Sequence, residues 1–476
     1  MRLDAYRREA EAFVSEIGLE HYLHFSGRKP TLEIESVYER HAGLFTASTV
    51  ESLRDSGNRS LVEFCVEGLI GRATMHESAL LAEREAALEL SVDGVALPFR
   101  RAAIDQASEP DPGRRAAIET ARLEAVEREL NPLHERALER THGLAGELGW
   151  PSVTAMCGEL SGIDLATLAG QARGVLEATD PGYELTIVPI VRTEAGVERL
   201  RRSDLPAFFR APSLDVHFPQ DRLLESLTAT LTGLGALAED RVTIDAEVRP
   251  TKSPRAFCAA VRVPEEVYLV IAPHGGRDDY ETILHEAGHA AHFAHVAPTI
   301  DFERRHLGDN SVTEAYAFLL QRLAAEPSWL ARRLDAEDTV AIAEHSRAAK
   351  TVLVRRYAAK LGYEIELHDG AGDPATLRSS YARTLSSAMR LDWPAAMWLA
   401  DVDPFFYAAR YLRAWALEAE LARELRESFG REWFVEPEAG ARLRALWSEG
   451  QPPAAGELLG REPDFTALLA ELVPER

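Results

Sequence analysis

The chain has 476 residues, 46% hydrophobic and 27% charged, which suits a globular protein with one large two-lobed domain or two to three ordinary ones. Lysine and arginine total 53 against 77 aspartates and glutamates, a formal net charge of -24. So negative a surface repels phosphate backbones, and nucleic acid is excluded as an expected partner. Cys65, Cys157 and Cys258 lie far apart in no metal-ligand spacing and read as free thiols of a reducing compartment. The opening MRLDAYRREAEAF is charged from its second residue, and no stretch approaches the roughly 20 apolar residues of a membrane span. A cytoplasmic protein without membrane contact is expected.

Residues 1–180 carry alanine, leucine, glutamate and arginine at helical spacing, most densely in RRAAIETARLEAVERELNPLHERALERTHGLAGEL over 114–148. Apolar heptads are not sustained, so antiparallel bundle helices are expected rather than a coiled coil. The texture changes near residue 183, where YELTIVPIV and later SLDVHF are short, β-branched and punctuated by proline. A helix-like stretch at 219–236 precedes RVTIDAEVRP (241–250), AFCAAVRV (256–263), a PEE turn and VYLVIAP (267–273). These segments predict a small antiparallel sheet between about 183 and 273. From about 278 onward the helical pattern returns. The expected fold is mainly α, with an N-terminal helical lobe at 1–200 and a second lobe at 201–476 that holds the sheet.

His285-Glu286-Ala287-Gly288-His289 stands within DDYETILHEAGHAAHFAHV, whose composition predicts a helix over about 279–296 with Asp278 or Asp279 as N-cap. Residues four apart share a helical face about 6 Å apart along the axis, so the two imidazoles can grip one tetrahedral ion. Glu286, one step round the helix, reaches a water on that ion rather than the ion itself. The pattern thus joins a metal that acidifies water to a carboxylate that takes its proton and passes it to a leaving group. Two histidines and a carboxylate suit zinc best among divalent metals. A chance match is the alternative in a chain with 15 histidines, and the position of the helix directly after a strand pair argues against it.

Such a site needs a third protein ligand. His295 follows His289 by six residues, but His292 occupies the place where a bend would need glycine, and a continuing helix turns His295 about 240° away. Asp309, in HLGDNS, reads as a turn residue. Glu314, 25 residues after His289, sits in the first turn of SVTEAYAFLLQRL and can be presented rigidly to a metal. Ser311 and Glu314 also match a capping box, which would tie the glutamate to the backbone instead. His292 and His295 read as packing or hydrogen-bonding residues of the motif helix.

HEAGHAAH resembles the HExGHAxH block of the thimet-oligopeptidase and oligoendopeptidase F family of zinc peptidases. That family places its third ligand, a glutamate, 25 residues after the second histidine, and Glu314 matches. KSPRAFCAAVRVPEEVYLVIAP is similar to the strand pair ahead of the family's metal helix. EAGARLRALWSEGQPPAAGELLGREPDFTALL resembles its closing helices, with Gly440, Gly450 and the Gly460-Arg461-Glu462-Pro463 corner in matching places. The resemblance runs from about 245 to 476, while the first 180 residues match only in being helical.

The resemblance implies a two-lobed helical peptidase with a deep substrate channel, one zinc ion per chain held by His285, His289 and Glu314, and Glu286 as general base. It also implies an oxyanion partner from a tyrosine-rich helix resembling YxAxYY. In DVDPFFYAARYLRAWALEAEL, Tyr407 and Tyr411 fit its first and last tyrosines, and Arg410-Tyr411 is similar to a pair in angiotensin-converting enzymes. Two departures stand out: Val402 and Asp403 occupy the place of the family's histidine, and the later aromatics become Leu412, Arg413 and Ala414. Short peptides are the expected substrates. A zinc carboxypeptidase of a related helical family, with Arg255, Arg410 or Arg413 binding the terminal carboxylate, and a non-catalytic peptide-binding relative are the alternatives.

Overall fold

Helix-forming composition prevails along most of the chain: the computed structural model, which describes residues 2–337, 339–370 and 372–473, is mainly helical. No helix among the described residues is long and apolar enough to cross a membrane. Helix starts follow the capping rule, with Asp111, Ser152 and Asp164 each accepting a hydrogen bond from a backbone N–H of the first turn. The chain divides into two compact units, each assembled from separated stretches. One comprises Leu69–Ser213, His345–Leu412 and Leu469–Arg476, and the other Met1–Gly68, Leu214–Glu344 and Arg413–Leu468.

In the first of these units, a hairpin interrupts the region expected to be overwhelmingly helical. Strands β1 (Glu89–Val92) and β2 (Val95–Pro98) pair antiparallel around Asp93 and Gly94. The two turn residues take φ of 53° and 77°, the left-handed geometry that an Asp-Gly pair supplies to a two-residue hairpin. The dense helical run at 114–148 is broken into Pro112–Ala125, a five-residue π segment at Val126–Leu130, and Asn131–Glu147. Pro132 explains the break: it has no N–H to give the preceding turn, and the wider π turn carries the chain past it.

YELTIVPIV, expected as a strand, is helical in the structure: a π segment at Tyr183–Ile187 leads into Val188–Glu194, with Pro189 in the first helical turn. Tyr183, Ile187 and Val191 recur every four residues and are all buried in one core with Phe208, Tyr363 and Trp398. That burial outweighs the strand preference of the β-branched side chains. SLDVHF is likewise not a strand: its first five residues fall in the 3-10 segment Pro212–His217.

The other unit contains a three-stranded sheet, in the order β3-β5-β4, built from β3 (Val242–Asp245), β4 (Phe257–Arg262) and β5 (Glu266–Val270). The sheet therefore begins near residue 242 and not near 183, and it is mixed where an antiparallel sheet was expected. β4 and β5 form the expected antiparallel pair, with Cys258 opposite Leu269, but β3 runs parallel to β5. Eleven residues between β3 and β4 permit that reversal of direction, because no tight turn constrains them. β4 is left as an edge.

Two helices pack against this sheet. The first helix, Leu3–Phe25, stacks Tyr22 on Tyr268 with ring centroids 3.7 Å apart, and it buries Tyr22 with Ala259 and Val270. Gly18 lets it lie close to β4: a Cβ there would meet the Ala260 carbonyl oxygen at 3.2 Å. The motif helix, Arg277–His295, packs against all three strands of the sheet. Gly276 provides its N-cap at φ 89°, close to the Asp215 carboxylate.

Candidate metal centre

Asp278 and Asp279 lie inside the first turn of the motif helix and not at its cap. The Asp279 carboxylate accepts from the N–H groups of His274 and Gly275, which fixes the entry of the chain. One helical turn then separates His285 from His289, and their ring centroids are 4.9 Å apart. Glu314 comes from the next long helix, Asn310–Gln321. Its Oε2 lies 3.4 Å from His285 Nε2 and 3.8 Å from His289 Nε2. Ligand atoms of all three residues fall within 4.8 Å of one another, the one such trio of histidine, cysteine or acidic groups among the described residues.

The two helices can bring these groups together because small residues meet at their crossing. Gly288 lies against Ala317, and a Cβ on Gly288 would sit 2.6 Å from Ala317 Cα and 2.8 Å from the Tyr316 carbonyl oxygen. Side chains on facing helical turns can then converge on a point that larger residues would hold apart. Two imidazole nitrogens and a buried carboxylate oxygen form a donor set consistent with zinc.

The electrostatics also suit a cation. Burial drives the His289 pKa down to about 4, keeping its imidazole neutral and able to act as a ligand. At His285 burial pulls the same way, but the carboxylates of Glu314 and Glu286 outweigh it and hold the pKa above the ordinary histidine value. Glu286 is pushed up from the usual carboxylate range by burial, with repulsion from Glu314 adding and His285 and the Cys258 N–H opposing. The Cys258 backbone N–H, on the edge strand β4, donates to Glu286 Oε2 at 2.8 Å. The Glu286 carboxylate is thereby tied to the edge strand β4.

Of the third-ligand candidates, Glu314 alone joins the trio. Asp309 is the N-cap of the Asn310–Gln321 helix and accepts from the N–H of Ser311. It also accepts from the Arg413 guanidinium at 3.1 Å and from the N–H of Ala455. With Asp309 as cap, Ser311 is already inside the helix and no capping box detains Glu314. His295 bonds the Ala291 carbonyl through Nδ1 and packs near Trp447, while His292 is buried against Thr313.

Tyr407 and Tyr411 begin the helix Tyr407–Phe429 and belong to the other compact unit. Their rings share a face, 4.9 Å apart, and Tyr357 lies 5.4 Å from Tyr411. Ahead of them Val402 packs into the apolar core, and Asp403 pairs with Lys360 at 2.8 Å. The Asp403 N–H donates to Glu364, a carboxyl that burial raises to about 8. Arg413 is buried between Asp309 and Glu462, Arg410 is buried, and Arg255 is exposed at the cleft beside β4.

Sequence reasoning missed the hydrogen-bond partners of His285 and His289. Gln321 Oε1 lies 2.9 Å from His285 Nδ1, and Thr313 Oγ1 lies 2.9 Å from His289 Nδ1 and 3.1 Å from His292 Nδ1. A signal for Gln321 was present: it follows Glu314 by seven residues, which returns it to the same helical face.

A mainly helical fold that carries HExxH on one helix and a glutamate on a neighbour is the arrangement of the zinc oligopeptidases the sequence resembles. The solved structures agree on the fold. The chain is similar to PZ peptidase A in complex with an inhibitor, with a TM-score of 0.63 and 14% identity over 89% of this chain and 80% of that one. It is similar to a protein assigned as oligoendopeptidase F from Bacillus anthracis strain Ames, with a TM-score of 0.57 and 14% identity over 93% of this chain and 83% of that one. A further structure assigned as oligoendopeptidase F gives a TM-score of 0.62 and 15% identity over 92% and 82%. No protein-family model matches the sequence, and no curated protein matches it. With 89–93% of the chain covered, the fold likeness extends into the first 180 residues, where sequence resemblance is confined to helical composition.

Proposed function

We propose that the chain is a zinc metallopeptidase that hydrolyses peptide bonds in short peptides. The observation that carries this reading is the trio His285, His289 and Glu314 with Glu286 alongside, on an oligopeptidase fold. Zinc, when bound, supplies a polarised carbonyl and a water acidic enough to attack it near neutral pH. With zinc held by His285, His289 and Glu314, Glu286 would take the proton of that water and return it to the leaving amine. Tyr411 is assigned as the donor to the oxyanion, with Tyr407 beside it, on the likeness of YAARY to the family motif.

A substrate would lie extended along the edge strand β4 by strand addition. A cleft lined by Gly18, Phe25, Arg255, Phe257 and Ala259 follows that strand and supports this placement. A deep channel, as the family resemblance implies, would admit short peptides and exclude folded chains. Carboxypeptidase action is the second reading, and Arg255 in this cleft is the observation that favours it. Cleavage of a quenched fluorescent peptide by the purified protein, abolished by a chelator and restored by zinc, tests the proposal. A C-terminally amidated version that is cut equally well assigns endopeptidase action, and one that resists assigns carboxypeptidase action.

A further inference from the structure

We propose that Gln321 and Thr313 are positioning residues that fix the tautomers and ring orientations of the metal histidines, so that one helix supplies both the third ligand and the outer support of the other two. The inference rests on the zinc reading above and deepens it. A histidine that ligates through Nε2 must carry its proton on Nδ1, and that proton needs an acceptor. At His285 the acceptor is the Gln321 amide oxygen at 2.9 Å, and at His289 it is the Thr313 hydroxyl oxygen at 2.9 Å. Both leave Nε2 directed at Glu314.

Proton accounting makes the Thr313 arrangement directional. Its hydroxyl has one proton and two lone pairs, yet two imidazole Nδ1 atoms lie within hydrogen-bond reach. Only one ring can take the hydroxyl proton, so the other must donate. Ligation through His289 Nε2 makes His289 the donor, which leaves the Thr313 proton available to His292 Nδ1. His292, fully buried, thereby acquires a role: it orients the hydroxyl that orients the ligand. Gln321 and Glu314 stack two turns apart on one face of their helix, while Thr313 sits beside Glu314, so a single rigid element sets all three positions.

Neither acceptor carries a charge. A carboxylate in such a place raises the basicity of the ligating imidazole. The amide and hydroxyl therefore orient the rings without adding negative charge around the metal.

The test is zinc affinity of the full-length protein, read by competition with a coloured chelator and paired with a thermal melt. Gln321→Met removes the acceptor from a half-exposed side chain, and Thr313→Val removes the hydroxyl at nearly constant volume. Each is expected to weaken zinc binding by roughly 10–100-fold, the usual cost of losing such a partner. Gln321→Glu, which can only accept, should bind at least as tightly as the wild type, and Thr313→Ser should rescue most of the loss. If Gln321→Met and Thr313→Val bind zinc within twofold of the wild type, the positioning role is wrong while the metal site stands. If Thr313→Val does not fold, the Gln321→Met and Gln321→Glu pair decides alone. A wild-type protein that binds no zinc overturns the metal reading itself, and the inference with it.

Discussion

Gly288 lies directly against Ala317, so that a Cβ on the glycine would come within 2.6 Å of the alanine Cα. This approach joins the helix bearing His285 and His289 to the helix bearing Glu314. Gly288→Ala sets two effects against each other. Helix propensity favours alanine by up to about 1 kcal/mol. Forcing backbone from backbone in a packed interior costs about 1–3 kcal/mol, so the clash wins. The variant is expected to melt lower and to bind zinc at least tenfold more weakly, as measured by a melt and a chelator competition. Unchanged affinity would mean that the crossing does not set the site.

Glu314→Ala removes the one carboxylate that faces both imidazoles. Zinc affinity should fall by more than the roughly 10–100-fold typical of losing an outer partner. Elemental analysis after dialysis should find little metal in the variant and stoichiometric zinc in the wild type. Equal metal content in both would place the third ligand elsewhere.

Tyr411→Phe deletes only a hydroxyl. If that hydroxyl serves the oxyanion, kcat drops by on the order of 10²–10³ while KM and zinc content hold. The Tyr407→Phe variant, one turn away, provides the comparison. A Tyr411→Phe enzyme of normal kcat would return both tyrosines to a packing role beside Tyr357.

Acid should destabilise the fold through buried histidines outside the His285, His289 and Glu314 trio. Burial, reinforced by Arg305, lowers His306 to about 4, and burial, reinforced by His142, lowers His368 to about 3. The unfolded chain titrates these groups near 6.5, so it binds more protons than the native state below that value. Stability is therefore complete above about pH 6.5 and is lost as pH falls toward the folded values. The loss is about 1.4 kcal/mol per pH unit for each histidine. Melting temperature should fall between pH 6.5 and 5, and the fall should be shallower in a His306→Gln, His368→Gln double variant. Equal slopes would show that neither histidine is neutral in the native state.

How much of this was legible in the sequence depended on the range of the forces involved. The motif helix was readable because its ligands lie four residues apart on one element, and it begins at Arg277, close to the expected 279. Glu314 was readable only through its spacing, since the local pattern offered an equally good capping box. The structure resolves that ambiguity two residues earlier, where Asp309 takes the cap. YELTIVPIV misled because β-branched content was weighed above the four-residue recurrence of Tyr183, Ile187 and Val191. The parallel pairing of β3 with β5 had no local signal at all, being set by tertiary packing. The Asp93-Gly94 turn does carry one, set amid helical neighbours.

The central claim is that Glu286 activates water on a metal held by its neighbours without itself holding that metal. Glu286→Gln keeps the size of the side chain and its hydrogen bond from the Cys258 N–H, and it removes the base. The decisive measurement is zinc content and turnover of a quenched peptide in this variant beside the wild type. One zinc per chain in both proteins, with kcat lowered by roughly 10²–10⁴-fold in the variant, is the predicted result. A Glu286→Gln protein that binds zinc and cleaves the peptide at the wild-type rate would contradict it.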